Sequence, residues 1–188
     1  MIRTRQASLL AFNSLGVEST AEELVVVDSE DALVDALDFD GQVSILGGGT
    51  NVVLLDHVPG RVIHPRIRGL RDLGDGRVWV GAGEEWNEVV WWTLEHDLPG
   101  LENLALIPGL AGAAPVQNIG AYGRELDEVV ADVVAVDRHD GSRRILTNDE
   151  CGFAYRDSAF KSDACASCVI AGLHLDLSGV PLSVDYPD

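Results

Sequence analysis

The chain has 188 residues, 46% of them hydrophobic, and a formal net charge of −18. This length and composition predict a globular protein that buries roughly 70% of the surface of its unfolded chain. The negative charge argues against nucleic acid and anionic membranes as partners, because both would repel it. No apolar run resembles a secretory signal or a bilayer-spanning helix, so we expect a cytoplasmic protein.

A strand, a helix and a second strand are predicted in succession near the start. Leu24 to Val27 is a β-branched strand, and Asp28 and Ser29 cap a helix with one apolar face. That face consists of Ala32, Leu33, Ala36 and Leu37. The second strand, Gln42 to Leu46, runs into a glycine-rich loop, Gly47 to Asn51, at the end of the strand where open sheets bind ligands. Further strands are predicted at Val52 to Leu55 and at Val62 and Ile63.

The rest of the chain has a different pattern. Arg77 to Val80 is a predicted strand, and Glu84 to His96 a helix that buries Trp86, Val89, Val90 and Thr93 and leaves Trp91 partly exposed. Val129 to Asp137 and Ser142 to Leu146 form a hairpin around an Asp-Gly step. VIAGLHLDL, residues 169 to 177, alternates like a strand. Consecutive antiparallel strands after a βαβ start predict an α+β protein with two lobes.

Two glycine-rich segments are the candidate site. Ile107 to Gly123 contains four glycines, two prolines and four alanines, and Ser44 to Asp56 contains three consecutive glycines followed by Thr50 and Asn51. Such backbone brings main-chain N–H groups close to an anion, which predicts a phosphate-bearing ligand; the structural alternative is a tight corner packed on the core. A P-loop lysine is missing, and Val52 replaces a glycine of the dinucleotide fingerprint. Two such loops fit one pyrophosphate-containing cofactor held between two lobes.

The successive blocks ILGGGTNVVLLD, VGAGEEW, PGLENLALIPGLAGAAPVQNIGAYG and FAYRDSAFK resemble the UDP-N-acetylenolpyruvoylglucosamine reductase family from about Ala11 onward. The family commonly has serine where Thr50 stands. The resemblance implies an α+β, two-lobed FAD-binding domain of the vanillyl-alcohol-oxidase/PCMH type. A small βαβ lobe would span residues 1–70 and a larger antiparallel-sheet lobe residues 71–188. The family also has a carboxy-terminal substrate domain that supplies a catalytic serine and a glutamate, and we expect that domain to be absent from this chain.

The resemblance also implies a reaction. FAD, reduced by NADPH as co-substrate, would reduce UDP-N-acetylglucosamine enolpyruvate to UDP-N-acetylmuramate in peptidoglycan precursor synthesis. Arg156 would be catalytic, and its planar fork suits a carboxylate; an ion pair with Asp157 or a helix cap is the structural alternative. Tyr155, Arg156 and Tyr186 would bind substrate, and Ser158 would only support the site. The residues predicted to contact FAD are Gly47, Gly48, Gly49, Thr50, Asn51, Pro108, Gly109, Gly112, Ala113, Asn118, Gly120, Ala121, Tyr122 and Gly123.

Cys165 and Cys168 form a C-x-x-C pair. Only Cys151 and His174 could complete a zinc site, and His174 lies in a strand-like run, so we predict reduced thiols and no metal. We also expect a monomer. Two other classes of function stay open: a stand-alone FAD-binding module without reductase activity, and an unrelated acidic α+β protein whose glycine loops are structural.

Overall fold

The computed structural model describes residues 1–162 and 165–182, and the chain begins with a four-stranded mixed sheet. Its strands are β1 (Ile2–Ser8), β2 (Thr20–Val27), β3 (Val43–Ile45) and β4 (His57–Pro65), in the order β1-β2-β4-β3. β1 is antiparallel to β2, whereas β2 and β3 both run parallel to β4. Helix α1 (Glu30–Leu37) connects β2 to β3. The predicted βαβ unit is confirmed, with β4 lying between its two strands.

Helix α1 forms as its sequence predicts. The Ser29 hydroxyl accepts a hydrogen bond from the main-chain N–H of Ala32 at 3.1 Å, and two acidic residues in the first turn favour the positive end of the helix dipole. The buried positions are the four predicted ones. This face joins a core cluster with residues of both sheets, including Ile63 and Val169. The helix therefore packs where the two lobes meet.

The second lobe is built on a five-stranded sheet in which all neighbours are antiparallel. The remaining elements are β5 (Leu70–Gly74), β6 (Arg77–Gly81), α2 (Trp86–Glu95), β7 (Gly120–Ala121), β8 (Arg124–Glu125), β9 (Val130–Asp137), β10 (Arg143–Thr147), α3 (Asn148–Cys151) and β11 (Cys168–Asp176). The large sheet has the order β10-β9-β11-β6-β5, and β7 pairs with β8. The predicted hairpin is confirmed as β9 and β10. Helix α2 buries its four predicted residues and leaves Trp91 54% exposed.

Between α2 and β9 the chain is ordered but irregular. Short 3₁₀ turns occur there and elsewhere, at Leu10–Phe12, Glu102–Leu104, Ala111–Ala113, Pro115–Gln117, Leu126–Glu128 and Ala159–Lys161. Two of these turns and the two-residue strand β7 lie within the predicted glycine-rich segment Ile107 to Gly123. No helix of the described residues is long and apolar enough to cross a membrane.

The structure corrects one expectation and adds two strands that the sequence did not predict. Val52 to Leu55 is not a strand: the segment has no sheet partner, and Val53 and Leu55 are 77% and 74% exposed. The run is apolar but crosses the surface towards β4, so its composition alone wrongly predicted a strand. Strands β1 and β5 were not predicted, because both are almost entirely exposed and lack an apolar alternation. They are held by main-chain hydrogen bonds at sheet edges.

Candidate functional site

A cleft of about 430 Å³ opens between the lobes. Its first wall is formed by residues 45–52 and Pro65, at the ends of β3 and β4. The second wall is lined by Ala82, Trp86, Ile107, Pro108, Gly109, Leu110, Gly112, Ala113, Ala114, Val116, Gln117, Ile119, Arg138, Phe160, Lys161, Ala166, Cys168, Val169 and Ile170. The two predicted glycine-rich segments therefore meet at one cleft, although they are far apart in sequence.

The two segments touch through bare main chain. A Cβ atom added at Gly48 would lie 3.2 Å from the Cα of Gly109 and 3.5 Å from the nitrogen of Leu110. The Thr50 hydroxyl donates to the carbonyl of Pro108 at 3.3 Å, and the Asn51 amide donates to the side chain of Gln117 at 2.9 Å. The first segment thus approaches the second closely enough that a side chain at Gly48 would have to displace backbone.

The first glycine-rich turn, residues 47–51, is held at its start by hydrogen bonds that involve Leu46. The N–H of Leu46 donates to the carbonyl of Ile63, and the Nδ1 atom of His64 lies 2.8 Å from the carbonyl oxygen of Leu46. His64 is buried, and this burial lowers its pKa below the ordinary value of 6.5. The neutral ring with its proton on Nδ1 donates to Leu46 and fixes the strand end that leads into Gly47.

The second glycine-rich turn, residues 108–112, is hydrogen-bonded to the chain between the end of β6 and the start of α2. The N–H of Trp86 donates to the carbonyl of Gly109 at 2.9 Å, and the N–H of Gly112 donates to the carbonyl of Ala82 at 2.9 Å. A Cβ at Gly112 would lie 2.6 Å from the Cβ of Ala82. Gly49 has a φ of +62°, and a Cβ there would overlap the carbonyl of Phe12. Gly49 and Gly112 are therefore required by the fold as well as by the shape of the cleft.

The predicted cofactor contacts divide into two groups. Those on the cleft wall are Gly47, Gly48, Gly49, Thr50, Asn51, Pro108, Gly109, Gly112 and Ala113. Asn118, Gly120, Ala121, Tyr122 and Gly123 are not among the described residues that line it. The fully buried amide of Asn118 donates to Glu125 at 2.9 Å and to the carbonyl of Ala154 at 3.3 Å, and its oxygen accepts from the N–H of Asp127. Its side chain therefore organises the neighbouring loops.

Arg156 lies at the tip of a tight turn. Reciprocal 3.0 Å hydrogen bonds join the main chains of Ala154 and Asp157, and Arg156 adopts a φ of +54°. Its Nη2 donates to the carbonyl of Gly120 at 2.9 Å. Asp157 instead lies 3.9 Å from the ammonium of Lys161, so the ion pair considered from sequence is not formed. The arginine is exposed and is directed to the second glycine-rich segment.

The other residues of this block have separate roles. Tyr155 is 80% exposed beside Arg156, whereas Ser158 is 3% exposed and donates its hydroxyl to the carbonyl of Val116 at 2.7 Å. Ser158 is thus hydrogen-bonded to main chain of the second glycine-rich segment, and its supporting role stays a prediction. Tyr186 lies outside the described residues. Sequence analysis did not identify Arg138 or Lys161 as cleft residues: Arg138 comes from a polar hairpin turn, and Lys161 belongs to the FAYRDSAFK block without a predicted role of its own.

The cysteines are free thiols. Cys151 and Cys165 are buried, and Cys168 is half-buried on the cleft wall. Burial raises the pKa of Cys151 to about 12 and also raises that of Cys168. No group of three or more His, Cys, Asp or Glu residues in the described chain is arranged to hold a metal ion. His174 instead places Nδ1 2.6 Å from a carboxylate oxygen of Asp132.

A family model described as an FAD binding domain matches residues 21–147. With the fold and the glycine-lined cleft, this match shows that the chain belongs to the FAD binding domain family. The two-lobed fold is that of vanillyl-alcohol-oxidase/PCMH-type flavoproteins, as predicted. At the level of fold alone it matches 6-hydroxy-D-nicotine oxidase from Arthrobacter nicotinovorans, with a TM-score of 0.63 and 12% identity over 93% of this chain and 41% of that one.

More specific similarity connects the chain with one group of flavoproteins. It is 45% identical to the UDP-N-acetylenolpyruvoylglucosamine reductase of Escherichia coli over 163 residues, which is 83% of this chain and 48% of that protein. The crystal structure of the reductase from Thermus caldophilus matches with a TM-score of 0.77 and 30% identity, over 93% of this chain and 60% of that one. The resemblance seen in the sequence is confirmed. The chain spans about half the length of the curated relatives it matches.

Proposed function

We propose that this chain is the FAD-binding part of an NADPH-dependent reductase that converts UDP-N-acetylglucosamine enolpyruvate to UDP-N-acetylmuramate in peptidoglycan precursor synthesis. The observation that carries the proposal is the contact of two glycine-rich turns across one cleft. FAD, when bound, supplies the chemistry of accepting two electrons from NADPH and delivering them to the enolpyruvyl group. The residues of the chain bind and orient the cofactor and the substrate carboxylate.

The cleft is suited to a dinucleotide. The main-chain N–H groups of residues 47–51 and of Gly109 and Leu110 are offered to a diphosphate, because glycine leaves the backbone uncovered, whereas the N–H groups of Ala111 and Gly112 donate to the carbonyls of Glu84 and Ala82. Apolar residues that line the cleft and are only partly buried, such as Ile45, Ile107 and Val116, offer surface to rings. The ligand is anionic and the chain has a net charge of −18, so amide groups and the few cleft cations must offset the repulsion locally.

We place the reacting end of the flavin beside Gly120, Ala121, Tyr122 and Gly123, because Arg156 is hydrogen-bonded to the carbonyl of Gly120. In this arrangement Asn118 acts through the loops that it holds together. The other predicted cofactor contacts, on the cleft wall, bind the diphosphate and the remaining part of the dinucleotide.

Arg156 is the proposed catalytic residue. Only one of its five N–H donors is used by Gly120 in the hydrogen bond described above, and its side chain is exposed. A cation held in place beside a carboxylate stabilises the negative charge that develops there during reduction. A left-handed conformation at a non-glycine residue costs about 1–3 kcal/mol and often marks a functional position. Tyr155 and Tyr186 complete the proposed substrate contacts.

Other parts of the proposal concern the context of the reaction. The proton that completes the reduction would come from the serine and glutamate of the substrate domain. We propose that the lobes divide at residues 70 and 71, that the protein is a cytoplasmic monomer without nucleic-acid partners, and that its activity serves cell-wall biogenesis, cell shape and division.

Flavin analysis of the purified chain tests the proposal. We expect yellow protein that releases FAD on denaturation and whose colour bleaches when NADPH is added without oxygen. Colourless protein that takes up no added FAD would contradict the proposal. Bound FAD that NADPH does not reduce would favour a stand-alone FAD-binding module. Testing the same preparation with the enolpyruvyl substrate after NADPH reduction would show whether this chain alone reoxidises the flavin.

A further inference from the structure

Cys165 and Cys168 form a thiol pair that the proposed reaction does not use. The two residues are the ends of a four-residue turn, in which the N–H of Cys168 donates to the carbonyl of Cys165 at 2.8 Å. A β-turn holds its first and last Cα atoms within about 7 Å of each other, and a disulfide requires a Cα separation of roughly 4.4–6.8 Å. The backbone therefore already brings the two cysteines to a distance at which a disulfide can close.

The two side chains are also neighbours. Both cysteines are free thiols. The pKa of Cys168 is raised by burial and, to a smaller extent, by the adjoining thiol of Cys165. The turn therefore presents a reduced dithiol whose members are close enough for one thiol to change the proton affinity of the other.

The two thiols differ in their access to the cleft. Cys168 is half-buried and lines the cleft together with Ala166, whereas Cys165 is 3% exposed. The Nη1 atom of Arg144 donates to the sulfur of Cys168 at 3.6 Å, and a cation beside a cysteine favours the thiolate that attacks a disulfide. Burial has the larger effect on Cys168, so we expect it to react more slowly than a free thiol. Cys168 is the thiol that a reagent in the cleft meets first, and Cys165 is its buried partner.

Cys151 belongs to the same core cluster as Cys165 but has no access to the cleft. It is fully buried at the end of α3, and its sulfur donates to the carbonyl of Leu146 at 3.8 Å. Burial raises the pKa of Cys151 to about 12, which leaves almost no thiolate near neutral pH. This third thiol is therefore an internal control for the other two.

We propose that Cys165 and Cys168 are a redox-active pair that forms a reversible disulfide by exchange with small disulfides that enter the cleft. The Cys168 thiol gives its proton to solvent and attacks one sulfur of the small disulfide, whose S–S bond breaks. One small thiol leaves, and a mixed disulfide remains on Cys168. The Cys165 thiol then loses its proton and attacks the sulfur of Cys168, which expels the second small thiol. The pair loses two electrons and two protons, and the small disulfide is reduced to two thiols.

The test treats the flavin-free whole chain with oxidised glutathione and follows its three thiols. A chromogenic thiol reagent counts them after denaturation, and peptide mass mapping locates the modified cysteines. We expect the wild type to lose two thiols, to carry a disulfide between Cys165 and Cys168, and to recover both thiols in dithiothreitol. This measurement needs no variant, so it stands even if a substitution in the core impairs folding.

Three variants separate the two steps. C165A lacks the second thiol, so it should accumulate the mixed disulfide of Cys168 with glutathione. C168A should lose thiols at least about tenfold more slowly than the wild type, because both remaining thiols are buried and buried thiols are inert. C151A, which removes the third thiol, should form the disulfide at the wild-type rate. Melting temperatures of the reduced variants show that each is folded.

A further measurement rests on the proposed function. FAD bound in the cleft would cover Cys168, so saturating FAD should slow the loss of thiols in the wild type. Wild-type protein that forms the disulfide but binds no FAD would overturn the proposed function and leave the thiol pair standing.

Other results would overturn the thiol pair while leaving the proposed function standing. They are a wild type that keeps all three thiols or stays at the mixed disulfide, a disulfide that includes Cys151, and a folded C168A that loses thiols as fast as the wild type. Exchange at an unchanged rate in protein saturated with FAD would overturn the entry of small disulfides through the cleft.

Discussion

Gly48→Ala tests whether the two turns must meet through bare main chain. The added Cβ would lie 3.2 Å from the Cα of Gly109 and 3.5 Å from the nitrogen of Leu110. These neighbours are backbone atoms, so neither can rotate away as a flexible side chain would. The turns must separate by a few tenths of an ångström, and the N–H groups proposed to hold the diphosphate would separate with them.

Two magnitudes follow from this geometry. Overpacking of a close contact costs about 1–3 kcal/mol of unfolding free energy. In a chain of this length each kilocalorie lowers the melting temperature by about 2–4 °C. If one main-chain donor to the diphosphate is lost as well, FAD affinity should fall roughly ten- to hundredfold. The loss of affinity should therefore be measurable even if the variant remains well folded.

The assay measures the melting temperature of flavin-free protein and the dissociation constant for FAD. Gly47→Ala is the matched control for stability, because a Cβ at that position meets its nearest neighbour, the Cβ of Ala113, at an ordinary 3.6 Å. We expect Gly48→Ala to melt below both the wild type and Gly47→Ala. Wild-type melting temperature and wild-type FAD affinity in Gly48→Ala would refute the reasoning.

Three further predictions concern other parts of the chain. Glu23→Gln should lower the unfolding free energy by about 3 kcal/mol in urea titrations, because it leaves the buried guanidinium of Arg61 without its carboxylate; an unchanged midpoint would contradict this. The depressed pKa of His64 means that the unfolded chain binds the proton more readily, so stability should be complete above pH 6.5 and fall as the pH drops below it. His64→Gln should reduce this pH dependence of the unfolding free energy, whereas His139→Gln, at an exposed position, should not. In the complete enzyme, Arg156→Ala should retain FAD but slow substrate-dependent flavin reoxidation by about 10²–10³-fold in stopped-flow measurements; normal turnover would exclude the catalytic role.

Local signals in the sequence were sufficient for much of the fold. The cap at Ser29 and the apolar faces of α1 and α2 follow from spacing within a few residues, and the structure confirms each of them. The hairpin around Asp140 and Gly141 likewise needs only turn chemistry. These features are predictable because the interactions that stabilise them are short in sequence.

The features that were not predicted depend on distant contacts. Strand β1 is polar on nearly all sides, and its pairing with β2 is made by backbone groups that composition does not report. Val52 to Leu55 was predicted wrongly for the opposite reason: its residues are apolar, but Val52, Val53 and Leu55 are exposed and only Leu54 packs against the core. The sequence around Arg138 predicts a solvated residue in a hairpin turn. The residue lies on the cleft wall because its N–H is hydrogen-bonded to the carbonyl of Ser167, just before β11.

The glycines show why a loop motif alone could not separate a ligand site from a packed corner. Gly49 and Gly112 meet protein atoms of Phe12 and Ala82, so these two positions satisfy the structural alternative. At Gly48 the three nearest atoms to an added Cβ all belong to the facing turn, and Gly48 itself lines the cleft. The same stretch of sequence therefore contains glycines that fix the turn in the fold and a glycine that allows the turns to approach. A turn that is first held rigidly by the protein presents its N–H groups to an anion at a smaller cost in conformational entropy. The structural and ligand-binding interpretations are thus complementary, and each applies to different residues of the same loop.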